Sequence, residues 1–443
     1  MPLTRRRLLF NGSLTLAAGA MAPAIAFAAD SKKQNATPNL KDWAAIRREF
    51  NLSPDFIHLG LFYLTSHPRV VREAIEEYRR RLDINPFITV EHALFESEQE
   101  NLPLRATRAL ANYTGTSSDD FALTSNTTMG LALIYHGLPL KAGDEVLTTT
   151  HEHYVHHEAI RLATERTGAT WRAIPLFESY DSISADDMVE RIRKAIRPAT
   201  KVVGVTWVHS SSGLKVPIKR IADGIAQVNA TRSEGNRVLL VVDGVHGLGV
   251  EHPNLKALGC DVFAAGTHKW IFGPRGTGFV WARPQVWASM RPMIPTFSSF
   301  DVFEAWEKGE LPKGPARASW FTPGGFFPFE HQWAVPAAID FHQKIGPARI
   351  TERIHDLNGR FKEGLTTMKH VTVLTPRSAE LSAGMVCFDV KGMKPAEVTK
   401  RLLAKKIIAT TTPYAVSYPR VAFGITSNAD EVNRTLEAVK SLA

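Results

Sequence analysis

The sequence predicts an α/β fold: a doubly wound, mainly parallel sheet with a smaller α+β domain at the C-terminal end. Three observations lead there. From Phe121 to Trp281 short apolar runs alternate with stretches of helical periodicity, the pattern of repeated strand–helix units. The runs are apolar throughout, so their strands are covered on both faces, as parallel strands are. From Gln343 onward the order becomes a mixture of helices and strands. A length of 443 residues exceeds one ordinary domain, and a 44% apolar share supplies a sizeable core.

The elements follow in order. Residues 1–28 read as a signal: Thr4-Arg5-Arg6-Arg7-Leu8-Leu9, an apolar run from Leu14 to Phe27, then the small-x-small site Ala26-Phe27-Ala28. The arginines followed by leucines resemble a twin-arginine signal, which implies passage through the twin-arginine export machinery as a folded protein and a periplasmic location. The alternative is an uncleaved membrane anchor, but Gly19 and Pro23 interrupt the run and it is short for a span. Residues 29–40 are polar and form a linker.

Segment 41–84 is expected to pack near the small domain. It offers a short helix from Asp42 to Phe50, a strand-like run from Phe56 to Leu64, and a helix from Val70 to Arg81 with Val71, Ala74, Ile75 and Tyr78 on one face. Residues 85–342 form the large domain. It opens with a helix from Ser97 to Tyr113. Strands then begin at Phe121, Glu145, Thr170, Lys201, Val238, Val262 and Gly278, with helices between the first five. Residues 343–443 form the small domain, with helices at Ile345–Met368, Pro395–Leu403 and Ala429–Leu442 and strands at Val371–Leu374, Gly384–Val390 and Val421–Ile425. The net charge is +9, three arginines of it in the signal, and no basic cluster carries interleaved aromatics. Nucleic-acid binding is therefore not expected. Cys260 and Cys387 are read as separate thiols rather than a disulfide.

The chemistry centres on Val238–Phe279. One apolar run ends at Asp243 and His246, the next at His268 and Lys269. A carboxylate closing an apolar strand is costly unless a cation partners it. A lysine among Trp270, Ile271 and Phe272 loses solvation, which favours the free amine that attacks an aldehyde. Together they are what a pyridoxal phosphate enzyme needs: an amine for the Schiff base and a carboxylate for the pyridinium nitrogen. A surface lysine and a structural turn histidine are the plainer readings of Lys269 and His246. Ser125-Asn126-Thr127-Thr128-Met129-Gly130 follows a strand and opens a helix, the place where backbone N–H groups bind phosphate. A simple helix cap would use the same residues. His151-Glu152-His153-Tyr154-Val155-His156-His157 holds four histidines in seven positions. It reads either as a metal site using His151, His153 and His157 or as a ring stacked over a pyridine.

Thr124–Gly130, His151-Glu152-His153, Val242-Asp243-Gly244-Val245-His246 and Gly266–Gly278 occur in an order and spacing that resemble the class V aminotransferase family. This is a family of fold-type I pyridoxal 5'-phosphate enzymes, and the isopenicillin N epimerase-like branch is the nearest in pattern. The resemblance covers residues from about 55 to 440. It implies Lys269 as the cofactor lysine and proton carrier, Asp243 on the pyridinium and His246 at the ring oxygen, with Ser210 near that oxygen. Thr127, Thr128 and His268 would bind the phosphate. His153 would stack on the ring, or Tyr154 if the register shifts by one. Arg420 would clamp a substrate carboxylate; a salt bridge to Asp430 or Glu431 is the alternative. Thr322 would lie in a loop reaching a neighbouring subunit's phosphate site, in a homodimer with shared active sites.

The function expected is transformation at Cα of a small amino-acid, amine or peptide-like substrate. Transamination comes first, with epimerisation or C–S lysis as alternatives. Desulfurases of the family carry a cysteine in the loop before the clamp arginine, and Thr410–Pro419 has none. The rivals from other classes are a histidine-rich metal-dependent hydrolase and a non-catalytic binding protein.

Overall fold

The computed structural model describes residues 38–95, 101–252 and 254–443. The signal at 1–28 and most of the linker at 29–40 lie outside them. The first strand, β1 (Ile57–His58), belongs to the small-domain side. The next seven are β2 (Phe121–Thr124), β3 (Glu145–Thr149), β4 (Thr170–Ile174), β5 (Thr200–Thr206), β6 (Leu239–Asp243), β7 (Val262–Gly266) and β8 (Gly278–Ala282). They form one sheet in the order β2-β8-β7-β6-β5-β3-β4. β8 runs antiparallel to β2 and β7, and the other pairs are parallel.

The apolar sequence of these strands follows from their burial. Every residue of β2, β3, β7 and β8 is buried, because helices lie on both faces. The two faces feed separate cores. Leu147, Val203, Val205, Val242 and Phe263 pack on one, and Val146, Val202, Val241, Val262 and Ala264 on the other. Asp243 sits between Thr206 of β5 and Ala264 of β7. Thr206 and Asp243 are the last residues of their parallel strands, and β7 ends two residues beyond Ala264; this carboxyl edge is where such sheets hold ligands.

The small domain carries β9 (Val371–Val373), β10 (Val386–Val390), β11 (Ile407–Ile408), β12 (Thr410–Thr411) and β13 (Pro419–Val421). Four of them make an antiparallel sheet in the order β12-β13-β10-β9, and β11 pairs in parallel with β1. The helices Pro347–Thr366 and Ala429–Lys440 place Leu357, Phe361, Leu365, Val432 and Val439 against Val386, Phe388 and Phe423. Among the described residues no helix is long and apolar enough to cross a membrane.

Several boundaries differ from the sequence reading. The helix expected at Ile345–Met368 begins at Pro347, because Gly346 at φ 100° ends a separate helix, Val335–Ile345. The domain boundary expected at 343 thus falls inside a helix. The strand expected over Phe56–Leu64 pairs only at Ile57–His58, and the chain then turns, with Tyr63 N–H donating to the Gly60 carbonyl. In the described residues the helix expected from Ser97 runs from Leu102 to Thr114, capped by Asn101. The helix Pro86–Phe95 was not expected, because its apolar residues lie on all sides and leave no single stripe.

Gly244 shows how tightly the strand ends are packed. A Cβ there would lie 1.8 Å from Cζ of Phe263. Gly244→Ala is expected to cost about 1–3 kcal/mol by overpacking, read as a lower urea midpoint than the wild type's.

Candidate active site

The strand ends open into a cavity of about 180 Å³ that continues to solvent. Its floor is Asp243, 3% exposed. One carboxylate oxygen accepts from Val245 N–H at 3.1 Å. Burial pushes this carboxyl above its ordinary range, opposed by the nearby His156 and Lys269. Lys269 follows β7 on one flank, and its Nζ lies 3.0 Å from His246 Nε2. Burial lowers the Lys269 amine to about 8, with Asp243 holding it up and Arg420 pushing it further down. His246 is held well below its ordinary value by burial, then by Lys269 and Arg420. It therefore presents a neutral ring.

Asn126 caps the helix Thr127–Gly137 by accepting from Met129 N–H at 2.9 Å. The first amides of that helix face no carbonyl of their own turn, as in any helix start. Thr127 is buried and its Oγ1 accepts from Gly266 N–H at 2.8 Å, while Thr128 is exposed at the cavity rim. Gly266 lets His268 approach: a Cβ there would lie 2.6 Å from the imidazole Cε1. Across the cavity Arg420, on β13, is 4% exposed. Its Nη1 donates to the Ser210 carbonyl at 2.5 Å, its Nε donates to Thr410 Oγ1 at 3.1 Å, and its guanidinium lies 4.6 Å over the Phe62 ring. Among the described residues its Nη2 makes no hydrogen bond. Glu431, weighed as a partner for it, is taken by Arg47 at 2.6 Å.

Nine of the residues singled out in the sequence meet at this cavity: Thr127, Thr128, His153, Ser210, Asp243, His246, His268, Lys269 and Arg420. Two do not. Tyr154 is 69% exposed and points away, because His153 occupies the N-cap and its Nδ1 accepts from Val155 N–H. Thr322 is buried within its own chain, its hydroxyl accepting from Leu123 N–H at 3.1 Å. The histidines of the metal reading serve three different ends. His151 stacks on Phe177 at 4.2 Å, His153 caps a helix, and His157 Nε2 lies 2.7 Å from the Thr149 carbonyl. The cavity also takes in Phe62, His209 and Tyr414, which sequence reading did not select. Tyr414 lies in the loop already noted for lacking cysteine, so its position was the available signal. Cys260 and Cys387 are free and buried.

The residues present fit pyridoxal phosphate. Thr206 Oγ1, His246 Nδ1 and His268 Nδ1 are buried polar atoms at the cavity with no protein partner. Such atoms call for a polar ligand. A carboxylate buried at the floor suits a ring cation, and a desolvated amine beside it suits an aldehyde.

The sequence profile described as Aminotransferase class-V matches residues 65–434. Isopenicillin N epimerase of Streptomyces clavuligerus is 27% identical over 415 residues, covering 90% of this chain and 98% of that protein. A probable cysteine desulfurase of Halalkalibacterium halodurans is 27% identical over 382 residues, 84% of this chain and 87% of its own. Among solved structures, the cysteine desulfurase of Thermococcus onnurineus NA1 superposes with a TM-score of 0.74 at 21% identity, covering 90% of this chain and 97% of that one. A C-DES variant with glycine covalently linked to its PLP cofactor gives 0.75 at 21% identity, covering 89% and 98%. At that identity these structures speak for the fold.

The depressed Lys269 amine sets a pH dependence. Its folded value lies below the free value of 10.5, so the neutral, nucleophilic form appears as pH rises through about 8. Labelling of Lys269 in the apo-protein by an amine-reactive sulfonate, followed by peptide mass spectrometry, should be half-maximal near that pH. A midpoint above 10 would contradict the burial described.

Proposed function

The chain belongs to the aminotransferase class V family, and from that premise we propose that it acts on an α-amino acid, free or within a small peptide-like molecule, by moving the proton at Cα. Its cofactor is pyridoxal 5'-phosphate. When bound, that group supplies an electron sink which acidifies the bond at Cα. The observation that carries the reading is Lys269 beside His246, in one cavity with the buried Asp243 and with Arg420.

The chain's own residues divide the work. Asp243 would hold the pyridinium, and Thr127, Thr128 and His268 the phosphate. His153 would cover the ring. Arg420 would fix the substrate carboxylate, its planar fork already oriented by Ser210 and Thr410. Lys269 would take the α-proton, its burial keeping a useful share of free amine near neutral pH.

Inversion at Cα is the outcome we place first, supported by the extent of the match to isopenicillin N epimerase. Transamination, expected first from the sequence, is the second reading; it needs Lys269 alone as proton carrier. Sulfur extraction through a cysteine nucleophile is not favoured. The loop 410–419 has no cysteine, and Cys387 is buried in β10 with burial pushing its thiol up to about 12. We propose further that residues 1–28 direct export, on the strength of their arginines and small-x-small site. Pairing of two chains is proposed on the resemblance and on the exposed Phe297, Leu311 and Phe326.

The purified wild type should be yellow, and Lys269→Ala colourless. Wild-type protein that gains no visible absorbance with added pyridoxal phosphate would sink the reading. Chiral chromatography of the products then separates the two outcomes: an inverted amino acid supports the first, a keto acid the second. Arg420→Lys should raise KM for a carboxylate-bearing substrate roughly 10-fold or more, the loss of one bidentate contact.

A further inference from the structure

Tyr414 is a proton donor at the cavity that the reading above leaves without a task. Its hydroxyl lies 2.6 Å from Ser210 Oγ, and its ring stands edge-on to His153 at 6.0 Å. The loop that carries it is closed on itself. Thr412 N–H donates to the Tyr418 carbonyl at 2.9 Å, Tyr418 N–H donates to Thr412 Oγ1 at 2.9 Å, and Ser417 Oγ donates to the Thr412 carbonyl at 2.6 Å. The phenol is therefore held in place at the cavity wall.

Its position relative to Lys269 follows from strand order. β5, β6 and β7 are neighbours. Ser210 follows β5, Asp243 ends β6 and Lys269 follows β7. The loops that bear Ser210 and Lys269 therefore leave the sheet on either side of the strand that ends at Asp243. Arg420 donates to the Ser210 carbonyl. A carboxylate clamped there would put its Cα between amine and phenol.

We propose that Tyr414 is a second catalytic acid–base group, giving a proton to Cα from the side opposite Lys269, so that the chain inverts an α-amino acid; this rests on the function proposed above. In the forward direction the Cα–H bond breaks and Lys269 Nζ takes the proton. The electron pair stays at Cα. The Tyr414 O–H bond then breaks and a new C–H bond forms on the other face. The ammonium returns its proton to water, and the phenolate takes one back by way of Ser210. One proton enters for each that leaves, and no oxidant is needed. In reverse the two groups exchange roles. Burial pushes the Tyr414 phenol up to about 12, while Ser210 and Arg420 pull against that shift. At neutral pH it is therefore protonated, with a cation nearby to stabilise the phenolate.

The test uses holo-protein in D2O with the common L-α-amino acids and γ-L-glutamylglycine as probes. Loss of the Cα–H signal is followed by NMR and formation of the D-centre by chiral chromatography. Wild type should do both. Tyr414→Phe should keep the cofactor absorbance and continue to exchange Cα–H through Lys269, while D-product falls roughly 100-fold or more. Equal losses of exchange and inversion would assign Tyr414 a merely structural role and overturn the proposal. So would undiminished inversion in Tyr414→Phe, or a wild type that exchanges without inverting; the broader function would survive all three. A yellow wild type that exchanges no Cα–H with any probe would overturn the function and this proposal together.

Discussion

A single buried carboxylate governs the large domain. Asp243 closes a strand of leucines and valines, where ionisation is opposed by the loss of water. The same loss of water acts on Lys269 in the opposite sense, lowering an amine while it raises an acid. Burial thus brings both groups towards neutrality. A cationic ring at the floor and an aldehyde at the amine are what such a pair is built to receive. The apolar strands are in this sense part of the site, since a wetter sheet end would leave an ordinary aspartate and an ordinary lysine.

Beneath that floor lies a second set of charges. Glu152 is buried, 2.6 Å from Thr149 Oγ1 and 3.2 Å from His156, and His156 lies 2.7 Å from the Tyr135 hydroxyl. Burial opposes ionisation of Glu152, but His156 and Thr149 hold it at about 2. His156 in turn counters the desolvation of Asp243. The histidine-rich stretch 151–157 is thereby explained without a shared ligand. Its members stack, cap a helix, partner a buried acid and bond a carbonyl, because a turn into a helix points successive side chains in different directions.

Much of this was legible in the sequence. The strands could be read because apolar runs of five residues have few other uses in a soluble core. Asp243 and Lys269 could be read because polar groups ending such runs demand partners. Asn126 and the threonines after it could be read as a helix start, although only the folded chain brings the Thr127 hydroxyl to the Gly266 amide. What escaped depends on distant segments meeting. Tyr414 meets Ser210 across 204 positions of chain, and no local pattern encodes that. The Thr322 hydroxyl illustrates the converse: a loop motif fixes the backbone but leaves open which nearby amide of its own chain claims the hydroxyl. Tyr154 and His153 differ by one position, and the N-cap conformation alone decides which faces inward.

The pairing of β1 with β11 constrains how the molecule can be made. Ile57 and His58 lie beside Ile407 and Ile408, 350 positions along the chain. Arg349 also reaches back to the Leu40 carbonyl, and Arg47 forward to Glu431. During synthesis the N-terminal segment emerges long before its partners, so it must wait with Ile57 and Leu59 uncovered until the last part of the chain leaves the ribosome. Contacts of such high sequence separation form slowly, and unpaired apolar segments are where misassembly begins. The large sheet, whose strands are contiguous between 121 and 282, has no such delay. The ligand-binding edge can therefore take shape first, with the domain that bears Arg420 closing over it last.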